Sequence, residues 1–199
     1  MTFDYNEKKD LVFAGLMISL AFAILLSNGY KVVFELNSHT ITIFFIALFT
    51  AGIGFLLHEI AHKITAQRYG LTAKFKAYYN GLWLALLFSL FGFIIAAPGA
   101  VYIKGRNITS EKNGKISLAG PLTNIILSFT FLILLIVFGV EGFLGNISDY
   151  GLRINSLLAV FNMLPIIPFD GVKIKDWNLS VYIITTLIAV GLFVLSLIL

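Results

Sequence analysis

"ITIFFIALFTAGIGFLLHEIAHKITAQRYG", residues 41–70, carries no charged side chain from Ile41 to Leu57, then places His58, Glu59, His62 and Lys63 on the next turns. An apolar run of this length reads as a helix built for hydrocarbon. A carboxylate at its end costs on the order of 2–3 kcal/mol near the bilayer centre, less towards the interface, so such a residue points to a function. The rest of the chain has the same character. Of its 199 residues 59% are hydrophobic and 12% charged, against roughly 45–50% apolar in soluble domains.

The apolar residues gather in blocks at 11–27, 41–57, 82–97, 116–140, 152–164 and 179–199, the second continuing as a helix to about residue 69. A closed β-barrel would need short alternating segments, and these runs are continuously apolar. The expected fold is therefore an all-α membrane protein: a polytopic bundle of five or six embedded helices in a single domain over residues 1–199. The leader "MTFDYNEKKD" mixes acidic residues with its lysines and no small-residue cleavage site follows, so 11–27 is expected to be a retained helix rather than a signal peptide.

Charge placement gives a topology. Of the 14 basic residues only Lys31 and Arg153 lie outside the N-terminal leader and the stretches 63–81, 104–115 and 170–178. The positive-inside rule puts those stretches and the N-terminus on the cytoplasmic side, and it accounts for the net charge of +4 without a nucleic-acid partner. Segment 82–97 then begins and ends on one side. As a helix it would span only ~24 Å. It runs into "AAPGAVYIKG", where Pro98 and Gly99 break a helix and Ala100 to Ile103 favour an extended strand. A re-entrant hairpin with a short β element near residues 98–104 and an ordinary short crossing both remain open. The chain has no cysteine, so thiolate metal sites and thiol nucleophiles are excluded.

In "HEIAH", His58 and His62 stand four residues apart, so on a helix their imidazoles share one face, a turn apart. That spacing suits two ligands of one metal ion. Glu59 is offset by about 100°, within reach of a water but not itself a ligand, as in H-E-x-x-H hydrolases. Neutral imidazole and carboxylate suit zinc, which normally takes three protein ligands in a catalytic site. The remaining histidine, His39, lies nearly 30 Å away at ~1.5 Å per residue and reads as a loop residue. The better third ligand is Asp170, in "FNMLPIIPFDG", where Pro165 and Pro168 should end the preceding helix and carry the chain extended to the carboxylate.

His58-Glu59-x-x-His62 together with Asn162-x-x-Pro165-x-x-Pro168-x-Asp170-Gly171 resembles the site-2 protease family of intramembrane zinc metalloproteases. The resemblance implies that His58, His62 and Asp170 hold one zinc ion, that Glu59 activates water, and that Asn162 orients the bound peptide or stabilises the oxyanion. It also implies a transmembrane protein as substrate, a β element that can pair with it, and a multi-pass protein of a prokaryotic cell membrane. "GPLTN", residues 120–124, looks like a further family element, or simply small residues for close helix packing with a proline kink. Two other functions would use the same groups. A transporter of ions or metals would need a polar path to the outer face, and residues 41–57 offer little beyond Thr42 and Thr50. An inactive relative acting as a binding protein would be expected to lack Glu59 or a ligand, and all are present.

His62 and Asp170 must meet in one leaflet. Three apolar blocks separate them, so one must fail to cross, and the charges nominate 82–97.

Overall fold

The apolar blocks form helices throughout the computed structural model, which describes residues 2–30, 37–94 and 98–199. The last residues of the expected 82–97 segment lie outside the described residues. Internal contacts divide the chain into two compact units, residues 2–56 with 74–102, and 57–73 with 103–199.

In the first of these, α1 (Tyr5–Leu26) starts at Asp4, whose Oδ1 accepts from Glu7 N at 2.8 Å and so satisfies an orphan first-turn donor. Helix α2 (Ser38–Ala47) is capped in the same way by Asn37, whose Oδ1 accepts from Thr40 N at 3.1 Å. The polar stretch around His39 is thus a helix start rather than a loop, and His39 stands exposed in its first turn. After α2 comes a π-helical turn (Leu48–Gly52) that leads without a break into α3 (Ile53–Arg68). Here α1 packs against α2, the π-helical turn and α4 (Tyr79–Leu90).

Helix α3 ends by a backbone device. Leu71 N donates to Ala66 O and Gly70 N to Gln67 O, with Gly70 at φ 70°, a conformation that suits glycine. The chain then enters β1 (Thr72–Ala77), a strand within the stretch 63–81 whose lysines make it read as a polar connection. It pairs with β2 (Gly99–Lys104), the expected β element. Thr72 Oγ1 reaches Lys104 O and Tyr78 N reaches Pro98 O, so the strands run antiparallel.

Side chains of α1 cover the outer edge of β1. Glu7 Oε1 accepts from Phe75 N at 2.9 Å, Asp10 Oδ2 accepts from Ala77 N at 3.1 Å, and Asp10 Oδ1 accepts from Tyr79 Oη at 2.6 Å. Lys74 also pairs with Asp4, and its hydrogen bond is the main cause that draws the Asp4 carboxyl below its usual range. That pair is half exposed and adds little stability. Glu7 is buried. Glu7→Ala is expected to leave the Phe75 amide without its acceptor and to cost about 1–3 kcal/mol. Thermal unfolding of the detergent-solubilised chain would measure this, and Glu7→Gln, which keeps an oxygen there, is expected to recover most of it.

In the other unit, Thr109 caps α5 (Ser110–Phe138), its Oγ1 accepting from Lys112 N at 3.2 Å. Then follow α6 (Gly142–Asn162), α7 (Asp170–Trp177) and α8 (Leu179–Ile198). Helix α5 packs on the other three, and α8 on α6 and α7. Ile125, Ala159, Ala189 and Leu192 form a core cluster of α5, α6 and α8. Helix α6 begins well before the expected residue 152. Its first turns look like a loop in sequence, but Gly145, Ser148 and Gly151 form a buried small-residue face. At Gly151 the ring of Phe131 occupies the space a side chain would need.

Among the described residues, four helical runs are long and apolar enough to cross a bilayer: Tyr5–Leu26, Ser38–Arg68, Ser110–Phe138 and Leu179–Ile198. Only 22% of the most apolar window of the last is buried in the protein. A soluble helix that apolar would hide its surface, so its exposed face suits lipid. At 12 residues α4 reaches only about 18 Å. The chain is a multi-pass membrane protein.

Candidate metal centre

Two helices and a turn supply the site. His58 and His62 project from one face of α3 and are buried, with ring centroids 4.6 Å apart. Asp170 opens α7 and is also buried. Helix α6 ends at Asn162, ahead of Pro165 as expected. Residues 163–169 then fold as a turn closed by Phe169 N donating to Ile166 O at 3.0 Å, rather than running extended. The turn satisfies backbone groups that an extended link would leave open. At Gly171 a Cβ would lie 2.6 Å from Leu164 O, so only glycine lets the start of α7 close on the end of α6.

The three side chains converge. His58 Nε2 and His62 Nε2 lie 3.0 Å apart, and Asp170 Oδ2 is 3.4 Å from the first and 3.1 Å from the second. Ligands of tetrahedral zinc, with bonds near 2.0–2.2 Å, stand about 3.3 Å from one another, so the triangle has the right size. Its electronics agree. His62 Nδ1 donates to Ile116 O at 2.8 Å and His58 Nδ1 lies 2.6 Å from Asn124 Oδ1, which leaves both Nε2 lone pairs facing a carboxylate oxygen. Three acceptors at such distances call for a cation among them. Space has been left for it, since a Cβ on Gly120 of α5 would fall 2.5 Å from His58 Nε2.

Asp170 lies outside the four candidate spans. Its other oxygen, Oδ1, is 3.7 Å from Lys173 Nζ. Glu59 follows His58 on α3, is buried, and its Oε2 has no hydrogen-bond partner among the described residues. A buried carboxylate oxygen held without a partner suits a group that handles a proton. Asn162 sits in the last turn of α6, where its Nδ2 donates to Leu158 O at 2.9 Å. Its amide is engaged by its own helix here and would have to leave Leu158 to meet a peptide.

Among the described residues, the metal-ligand set the structure brings together is His58, His62 and Asp170. Over 160 residues, 80% of this chain and 84% of its own length, the Methanocaldococcus jannaschii protein named "Putative zinc metalloprotease MJ0611" is 45% identical. The chain belongs to the site-2 protease family. More distant relatives agree. "Putative zinc metalloprotease YwhC" of Bacillus subtilis is 28% identical over 64% of this chain and 66% of its own length. "Zinc metalloprotease MJ0392" of M. jannaschii is 28% identical over 72% of this chain but only 36% of its own length. No family model matches the chain, and no solved structure matches it. Zinc is the family's metal, and the buried His58, His62 and Asp170 group is suited to it.

Two contributors carry no motif in the sequence. One is the carbonyl of Ile116, a backbone group that no pattern marks. The other is Asn155, which is fully buried and whose Oδ1 accepts from Asn124 Nδ2 at 3.1 Å. Its only sequence signal is an amide inside an apolar block.

Proposed function

We propose that the chain is an intramembrane zinc metalloprotease that hydrolyses peptide bonds within or near transmembrane segments of membrane-protein substrates. The observation that carries this is the buried triangle of His58, His62 and Asp170 in a chain with four candidate spans. When bound there, zinc supplies Lewis acidity that lowers the pKa of water towards about 7 and polarises a carbonyl. His58 and His62 offer Nε2 and Asp170 its Oδ2. Glu59 accepts the proton of the attacking water at its free Oε2 and passes it to the leaving amine. Asn162, once released from Leu158, orients the substrate peptide or its oxyanion. The buried surroundings keep bulk water from these groups, so each polar contact counts for more.

A substrate helix hides its peptide bonds in internal hydrogen bonds and must unwind before attack. Pairing with β2 would hold the unwound segment extended. The amides of Phe75 and Ala77 on the outer edge of β1 are already taken by Glu7 and Asp10, which favours β2 as the strand that accepts a partner. The basic stretches favour a cytoplasmic side for the N-terminus and the zinc ligands, and the short α4 suits a segment that does not cross. Residues 1–199 would act as one membrane domain.

The test is the full chain in liposomes with a fluorescent peptide, supplied either as a transmembrane helix or as a soluble peptide of the scissile region alone. Cleavage of the transmembrane form is expected to be faster, to stop with a chelator and to return with zinc. Chelator-insensitive hydrolysis, or zinc flux across the liposome with no cleavage, would overturn the reading.

A further inference from the structure

The two imidazoles of the site are held by different kinds of acceptor. His62 Nδ1 donates to a backbone carbonyl, Ile116 O, which can only accept. His58 Nδ1 meets the side-chain amide of Asn124 at 2.6 Å. A half-turn of that amide would present NH2 instead of oxygen. His58 Nδ1 would then have to accept, its proton would move to Nε2, and the lone pair needed for a metal would be lost.

A second amide prevents the half-turn. Asn124 Nδ2 donates to Asn155 Oδ1 at 3.1 Å, and Asn155 Nδ2 donates to Gly151 O at 3.0 Å. The order of donors and acceptors follows from its far end. Gly151 O accepts only, so the NH2 of Asn155 faces it and Oδ1 of Asn155 faces Asn124. Asn124 must then turn its own NH2 to Asn155 and its oxygen to His58, which puts the His58 proton on Nδ1. Both asparagines are fully buried, so bulk water cannot stand in for either partner.

We propose that Asn155 is a positioning residue which, acting through Asn124, fixes the proton of His58 on Nδ1 and so keeps Nε2 available to zinc. The inference rests on the reading of His58, His62 and Asp170 as zinc ligands. A plain alternative is that the amide pair merely joins α5 to α6, as polar side chains do between helices in membranes.

The experiment compares zinc affinities of the detergent-solubilised full chain by chelator competition, with the visible spectrum of the cobalt-substituted form as a second readout. Helical content is checked by circular dichroism for every variant. Loss of an outer hydrogen-bond partner of a metal ligand weakens binding 10–100-fold in general. Asn124→Leu is expected to fall in that range and Asn155→Ala at about its lower end, each with an altered cobalt spectrum.

Asn124→Asp should hold zinc near the wild-type affinity, because either carboxylate oxygen accepts from His58 and Asn155, giving up its bond to Gly151 O, can turn its NH2 to the other. In that background Asn155→Ala should cost less than about threefold, since nothing is left to orient. Asn155→Asp, which can be protonated, accept from Asn124 and donate to Gly151 O, should also retain affinity and serves if Asn155→Ala folds poorly. An equal loss from Asn155→Ala in both backgrounds, or no loss in the wild type, overturns the proposal. His58→Ala and His62→Ala variants that still bind zinc as the wild type does would overturn the ligand reading and the relay together. Loss of zinc in both, with no effect of Asn155→Ala, would overturn the relay alone.

Discussion

Glu59→Gln is expected to leave zinc content unchanged while slowing cleavage of a transmembrane substrate by about 10²–10⁴-fold, the range for loss of a general base. The glutamate lies beside the ligand set without belonging to it, since the atoms at 3.0–3.4 Å are His58 Nε2, His62 Nε2 and Asp170 Oδ2. Glutamine fills the same volume on α3, so packing is preserved. What it loses is the ability to take a proton, a role that suits an Oε2 with no hydrogen-bond partner among the described residues. Metal content by atomic absorption, together with kcat on the labelled substrate, separates the two effects. Cleavage at the wild-type rate would remove Glu59 from the mechanism, and loss of zinc with loss of rate would make it a structural support of the site.

The convergence of His58, His62 and Asp170 was legible because the chemistry of these residues is concentrated in short motifs with one geometric meaning each. His58 and His62 at helical spacing must share a face, and Pro165 ahead of Asp170 must end a helix. The site's supports were not legible, for physical reasons. Asn155 lies in an apolar block where its polarity looks like an exception, and its bond to Asn124 on another helix is not visible in the sequence. The start of α6 misled in the opposite way. Gly145, Ser148 and Gly151 have the composition of a loop, yet small residues are what a helix needs to approach a neighbour closely within a membrane. Strand β1 did carry a signal, the alternation in "TAKFKA" that buries Ala73 and Phe75 and turns Thr72, Lys74 and Lys76 the other way. Its lysines register first as charge, and that hides their period.

Asp170→Asn is expected to weaken zinc binding by more than about 100-fold, beyond the range for loss of an outer partner. Asparagine has the size of aspartate and can still follow the turn at 163–169 and the close approach at Gly171, so any loss comes from charge. In the wild type one carboxylate oxygen faces two imidazole lone pairs, a set of acceptors that needs a proton or a cation to be stable. The amide introduced by the substitution would bring a donor to that set and satisfy it without any metal. The metal-free variant should therefore unfold at a temperature equal to or above that of the metal-free wild type. Added zinc raises the stability of the folded state only in so far as it binds there. It should lift the wild type's unfolding temperature and leave the variant's unchanged. A variant that still gains stability from zinc as the wild type does would show that the histidines bind the ion without Asp170.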